Sequence, residues 1–154
     1  MFDQYNLKNI VDENKSKQFK SEGERKIAYF LDKTKIKYQY EKPVLINSIE
    51  NKIRIWYPDF YLPEFKTHIE YYGYTGNAQY DQSAKTKQSI YKKMKLDVIP
   101  VYPWMFADDW KGYIISEIGK NVKRMENKIK TIQHNTYIKP HHSMRNNLYR
   151  KHKY

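Results

Sequence analysis

The sequence predicts an α/β protein in which a mixed β-sheet carries helices on its faces. Three observations point there. Three strand segments, at 35–46, 52–62 and 68–74, follow one another in the first half of the chain. Helical segments lie before and after them, at 21–33, 76–95 and 107–118. A short apolar run, "LDVIPVYP" at 96–103, separates the last two helices, so the order is α-β-β-β-α-β-α.

Each element has a local reason. Residues 1–19 form a polar lead, irregular or loosely helical. "SEGERKIAYFLDK" at 21–33 starts with a serine that can cap a helix and a glutamate three residues on, a capping box. Glu24, Ile27, Ala28 and Leu31 fall on one stripe, so Glu24 stands at the end of the core-facing side. Segment 35–46 alternates like a half-buried strand. Residues 47–51 make the turn into 52–62, where Pro58 marks an edge, a bulge or a break. "HIEYYGY" at 68–74 is the third strand, with His68 alternating toward solvent. In the next helix Tyr80, Ala84, Lys87 and Tyr91 share one face, which their aromatics mark as inward. Lys85 lies about 200° around from Lys87, on the solvent side. Trp110, Ile114 and Ile118 recur every four residues in a helix from 107 that can run on through Met125 and Ile129.

The chain has 154 residues, which fits one domain. It has no cysteine, so disulfides, thiolate metal sites and cysteine nucleophiles are excluded. No run is apolar enough for a secretory signal or a membrane span, which gives an expectation of a cytoplasmic protein without membrane association. The net charge of +12 is uneven: residues 119–154 hold ten Lys/Arg and one acid. A core at 20–118 is thus followed by a basic, helical or flexible extension at 119–154, and such an extension attracts polyanions, DNA first. The five histidines lack a ligand spacing that would suggest zinc.

Three acids stand out by context. Asp59 follows Pro58 in an aromatic strand, Glu70 lies between Ile69 and Tyr71, and Glu24 sits on the apolar stripe. A carboxylate heading into a core is costly unless it is paired or binds a cation. Neighbouring strands would bring Asp59 and Glu70 together, where they raise each other's pKa unless a divalent cation neutralises them. Oxygen ligands of this kind suit Mg²⁺ or Mn²⁺. Singly, each acid also has a structural explanation: a helix N-terminal acid, a turn residue, a partner of a surface lysine.

Taken in order, "SEGERKIAYFL", "YPDFYLP", "HIEYYGY", "YDQSAKTKQSIY" and "VIPVYP" resemble the PD-(D/E)xK, or restriction-endonuclease-like, nuclease superfamily over residues 20–118. The similarity is greatest to very-short-patch-repair-like endonucleases, transposon end-cleaving subunits and nuclease domains attached to some helicases. The resemblance implies an αβββαβ core and a metal held by Asp59, Glu70 and the carbonyl of Tyr71. In it Glu24 assists, through a metal-bound water or a second metal. One residue departs from the pattern: Tyr72 stands where the family most often has its lysine. Some members carry that lysine on the following helix, which makes Lys87 the candidate here and Lys85 the second choice. Such a site hydrolyses phosphodiester bonds, with the lysine stabilising developing negative charge or orienting the attacking water.

Phosphate contacts are expected from Lys85, Lys120, Lys123, Arg124 and Lys128, and from Arg145, Arg150 and Lys151 in the extension. Tyr137, Tyr149 and Tyr154 lie among these charges and suit stacking on bases as well as an ordinary tail role. The leading reading is a Mg²⁺-dependent DNA endonuclease of a phage, mobile-element or repair/restriction system, in the cytoplasm of a bacterium or an infected host. Cutting both strands with one site per chain calls for a homodimer, and a further protein partner is a second route to activity. The competing reading is an inactive nucleic-acid-binding protein that keeps the fold, with Tyr72 as its mark. A basic RNA-binding protein would explain the tail but not the inward acids.

Overall fold

The computed structural model describes residues 19–47, 52–74 and 76–137, without the side chains of 135–137. The expectations for residues 1–18, for the turn at 48–51 and for the extension beyond 137 lie outside the described residues. The chain groups into two units, Met1–Asn121 and Val122–Tyr154. The architecture is mixed α/β: a four-stranded mixed sheet, a separate two-stranded hairpin and three α-helices.

The first helix, α1, spans Glu22–Lys33. Ser21 caps it, its Oγ accepting from the N–H of Glu24 at 3.1 Å. The reciprocal contact differs from the simple capping box, because Glu24 reaches one residue further back and accepts the N–H of Lys20 at 3.0 Å. Ile27, Ala28 and Leu31 are buried as their spacing requires, and each large one adds roughly 1.5–3 kcal/mol of apolar burial. Thr34 closes the helix by donating its hydroxyl to the carbonyl of Phe30 at 2.9 Å.

The two segments expected as long strands are each divided. The first becomes β1 (Gln39–Tyr40) and β2 (Val44–Asn47), the second β3 (Ile53–Trp56) and β4 (Phe60–Leu62). Proline explains both breaks, since Pro43 and Pro58 have no N–H for a ladder. At the first break Glu41 takes a left-handed φ of 49° and donates its N–H to the carbonyl of Asp59 at 2.9 Å. β2 and β3 therefore leave the main sheet and pair as an antiparallel hairpin, Leu45 opposite Ile55. β5 spans Thr67–Tyr71 and β6 Val98–Val101. The main sheet runs β1-β4-β5-β6, antiparallel except for the parallel β5–β6 pair.

β5 is central, with β4 on one side and β6 on the other, and Thr67 to Glu70 are all buried. This corrects the solvent-facing placement of His68, which is only 4 % exposed. α2 (Ala78–Lys93) is capped by Asn77, whose Oδ1 accepts the N–H groups of Gln79 and Tyr80. Its Ile90 and Tyr91 pack with Ile46 of the hairpin, joined by Val44, Trp56, Leu96 and Val98.

A 3₁₀ turn at Pro103–Ala107 intervenes before α3 (Trp110–Tyr137), so the last helix starts three residues later than its predicted start at 107. Asp109 accepts the N–H of Gly112 at 3.0 Å at that start. Ile114 and Ile118 are buried, and Asn121 donates to the hydroxyl of Thr67 at 3.0 Å. Phe30 of α1 meets Trp110 edge-on at 5.3 Å. α1 and the first turns of α3 thus share the Thr67 side of β5, whereas α2 covers the Glu70 side. No described helix is long and apolar enough to cross a membrane.

Candidate active site

The pleat of β5 places His68, Glu70 and Tyr72 on one face. Glu70 is 4 % exposed. Two side chains of α2 reach it: Lys87 Nζ forms an ion pair with Oε1, and the Tyr91 hydroxyl donates to Oε2 at 3.4 Å. Lys87 and Tyr91 are one turn apart on the inward face, so the helix period brings both to one carboxylate. Burial pushes the Glu70 carboxyl above its usual range, against the opposing pull of Lys87. Lys85 is exposed, as its place on the far side of the helix requires.

Asp59 stands at the β3–β4 break. Pro58 beside it is fully buried, and the backbone of Asp59 is tied to Glu41. Its Oδ2 accepts the N–H of Tyr71 at 2.6 Å, which binds the carboxylate to the residue after Glu70. Burial first, and the charge of Glu70 second, push the Asp59 carboxyl up to about 7, while the Tyr71 N–H works against the rise. The structure thus brings Asp59, Glu70, Tyr71 and Lys87 together.

Glu24 lies near this group, at the start of α1. Its charge contributes to the rise at Asp59. Its oxygens, however, are taken by the Ser21 hydroxyl at 2.8 Å, the Lys20 N–H and the Tyr40 hydroxyl at 2.6 Å. Among the described residues no group of three His, Asp or Glu stands close enough to hold a metal. Glu24 is thus held in the helix cap, because a first-turn glutamate has backbone donors within reach.

Tyr72, at the position where the resemblance leads one to expect a lysine, is a buried ring. It is 3 % exposed and stacks on Tyr102 at 5.4 Å and 24°. The ammonium group on this face comes from Lys87 instead, 5.9 Å from the Trp56 ring centroid and 5.8 Å from that of Tyr91.

Several contributors have little or no sequence signal. Gly23 lies under the ring of Tyr71, where an added Cβ would stand 2.1 Å from Tyr71 Cζ. A glycine in the first turn of a helix of good formers is the trace of that contact. Beside Lys87 opens a groove of about 590 Å³. Ile55, Trp56 and Tyr57 form one wall and Gln82, Ser83 and Thr86 another, with Lys20 and Glu41 at the rim. Alternation runs unbroken through the divided strands that build it, so the groove has no sequence signal.

The candidate phosphate contacts divide by position. Lys123, Arg124 and Lys128 are exposed on α3, as is Lys120, which pairs with Glu117 at 2.5 Å. Arg145, Arg150 and Lys151 lie outside the described residues, as do the side chains of Tyr137, Tyr149 and Tyr154. Compared with family models, curated proteins and solved structures, the chain has no match in any of the three.

Proposed function

We propose that the chain is a metal-dependent DNA nuclease with a PD-(D/E)xK type of core, its lysine supplied by α2. The observation that carries this reading is the half-buried Asp59 beside the buried Glu70, with Lys87 Nζ on Glu70. A buried glutamate beside an aspartate whose pKa its charge raises is a poor choice for stability alone. The set fits a hard divalent cation that keeps several waters: Asp59, Glu70 and the Tyr71 carbonyl would hold Mg²⁺ or Mn²⁺. Bound there, the cation supplies Lewis acidity toward a phosphodiester.

The chain's own groups supply the rest. The Tyr71 N–H fixes the Asp59 carboxylate in one orientation, and the Tyr91 hydroxyl does the same for Glu70. Lys87, 31 % exposed at the groove, offers its ammonium for negative charge developing on a phosphoryl oxygen. Burial keeps bulk water from Glu70, which strengthens its interactions. The exposed lysines of α3 and the basic extension hold the backbone without reading sequence.

A second reading is a nucleic-acid-binding protein that does not cleave. The Lys87–Glu70 ion pair favours it, because it satisfies the buried acid without a metal. Cleavage assays on Asp59→Ala and Glu70→Ala separate the two. The nuclease reading expects both to lose Mg²⁺-dependent cleavage while duplex binding persists; undiminished cleavage by both would sink it.

A further inference from the structure

The groove beside Lys87 has a composition unlike the basic surfaces that hold a duplex backbone. Its hairpin wall is apolar and aromatic: Tyr57 is 53 % exposed, and Trp56 is held in place with its ring edge-on to Tyr91 at 5.5 Å and 89°. Apart from Lys87, its α2 wall is polar and uncharged. Ser83 and Thr86 donate their hydroxyl protons to the carbonyls of Gln79 and Gln82, so their lone pairs face outward as acceptors. Gln82 adds an amide with both donors and an acceptor. Lysine stands at the rim, where Lys20 is 70 % exposed and paired with Glu41, and in the lining, where Lys87 reaches Glu70.

An aromatic wall, a hydrogen-bonding wall and lysine are the three parts needed for one nucleotide: a π-face, a base edge and a phosphate. The volume of about 590 Å³ falls in the roughly 300–1,000 Å³ range of small-ligand sites, the size of a nucleotide and not of a double helix. A paired base cannot offer its face to Tyr57, because its neighbours in the stack cover it.

We propose that this groove seats one unpaired nucleotide of a single-stranded or locally opened DNA, its base against Tyr57 and Trp56 and its phosphate at Lys87. The substrate then reaches Asp59 and Glu70 as an unpaired strand. Cleavage of that strand rests on the nuclease reading; seating of the nucleotide does not.

The test is binding by the full chain in EDTA, read by fluorescence anisotropy, with a short oligothymidylate and a duplex of the same length. Tyr57→Ala, Tyr57→Phe and wild type are compared; Tyr57 is exposed, and a thermal melt verifies that each variant is folded. The proposal expects wild type and Tyr57→Phe to prefer the single strand. Tyr57→Ala is expected to weaken single-strand binding by roughly 5- to 150-fold while duplex binding stays within about twofold. Equal weakening of both ligands, or of neither, overturns the proposal. Cleavage in Mg²⁺ is read separately. Tyr57-dependent strand binding by a protein that never cleaves removes the nuclease reading and leaves the groove assignment standing. Cleavage by wild type, with Tyr57→Ala binding the single strand like wild type, removes the groove assignment alone.

Discussion

Lys87→Met removes the ammonium from Glu70 and keeps the length of the side chain. Glu70 is 4 % exposed, and what then remains to it is the long hydrogen bond from Tyr91 at 3.4 Å and one from the Asp59 backbone. Removing one partner of a fully buried ion pair costs about 3–5 kcal/mol. Lys87 is 31 % exposed, and Glu70 can escape by taking up a proton, which brings the cost down to roughly 2 kcal/mol at pH 8. With a urea dependence of about 2 kcal/mol per M, the unfolding midpoint falls by about 1 M. The sign with pH follows from Glu70. Without Lys87 its folded-state pKa rises further above the unfolded value of about 4.3, so stability is lost as pH rises and is restored at low pH. Urea denaturation of the metal-free protein in EDTA at pH 8 and pH 4 therefore gives a large midpoint difference at pH 8 and almost none at pH 4. An equal shift at both values, or a higher midpoint for Lys87→Met at pH 8, would refute the assignment of this pair as a buried charge contact.

Three further outcomes follow from other residues. Gly23→Ala lowers the melting temperature of the wild type, because the new Cβ meets the Tyr71 ring, and the cost is about 1–3 kcal/mol less the gain in helix propensity. In a Tyr71→Ala background the same change raises it; the same sign in both backgrounds contradicts the contact. His68 is buried with both ring nitrogens lacking a hydrogen-bond partner, and burial lowers its pKa to about 4. Its folded pKa lies below the unfolded value of about 6.5, so it destabilises as pH falls, by up to about 2 kcal/mol at pH 5. His68→Leu removes that penalty, and a wild type and variant whose stabilities fall in parallel from pH 7 to pH 5 would contradict it. Deleting residues 138–154 removes five Lys/Arg, so DNA affinity drops and its log–log salt slope flattens by about 0.9 for each phosphate that the tail had neutralised. An unchanged slope means that the tail does not touch the backbone.

The helices were legible because each carries its own punctuation. Ser21 and Glu24 mark the start of α1, and the four-three-four spacing of Tyr80, Ala84, Lys87 and Tyr91 fixes the inward face of α2. That spacing also separates Lys87 from Lys85, and the structure puts Lys87 on Glu70 with Lys85 exposed. The strands were legible in place but not in continuity. Alternation runs straight through Glu41 and Pro58, while the backbone turns at both, because an interstrand bond from Glu41 to Asp59 and two prolines decide the path. The solvent-facing placement of His68 fails for a related reason: alternation assigns faces but cannot say that both faces of a central strand are covered. Glu24 was legible as an inward acid. Its partners Lys20 and Tyr40 were not, since contacts to another segment leave no local pattern.

The central claim is that Asp59, Glu70 and Lys87 form one hydrolytic site, and plasmid nicking tests it most directly. Wild type and Lys87→Ala are compared with Mg²⁺, with Mn²⁺ and with EDTA. The account predicts nicking by wild type in either metal, none in EDTA, and a drop of about 10²–10³ in rate for Lys87→Ala. Nicking that persists in EDTA, or that Lys87→Ala carries out at the wild-type rate, would contradict it.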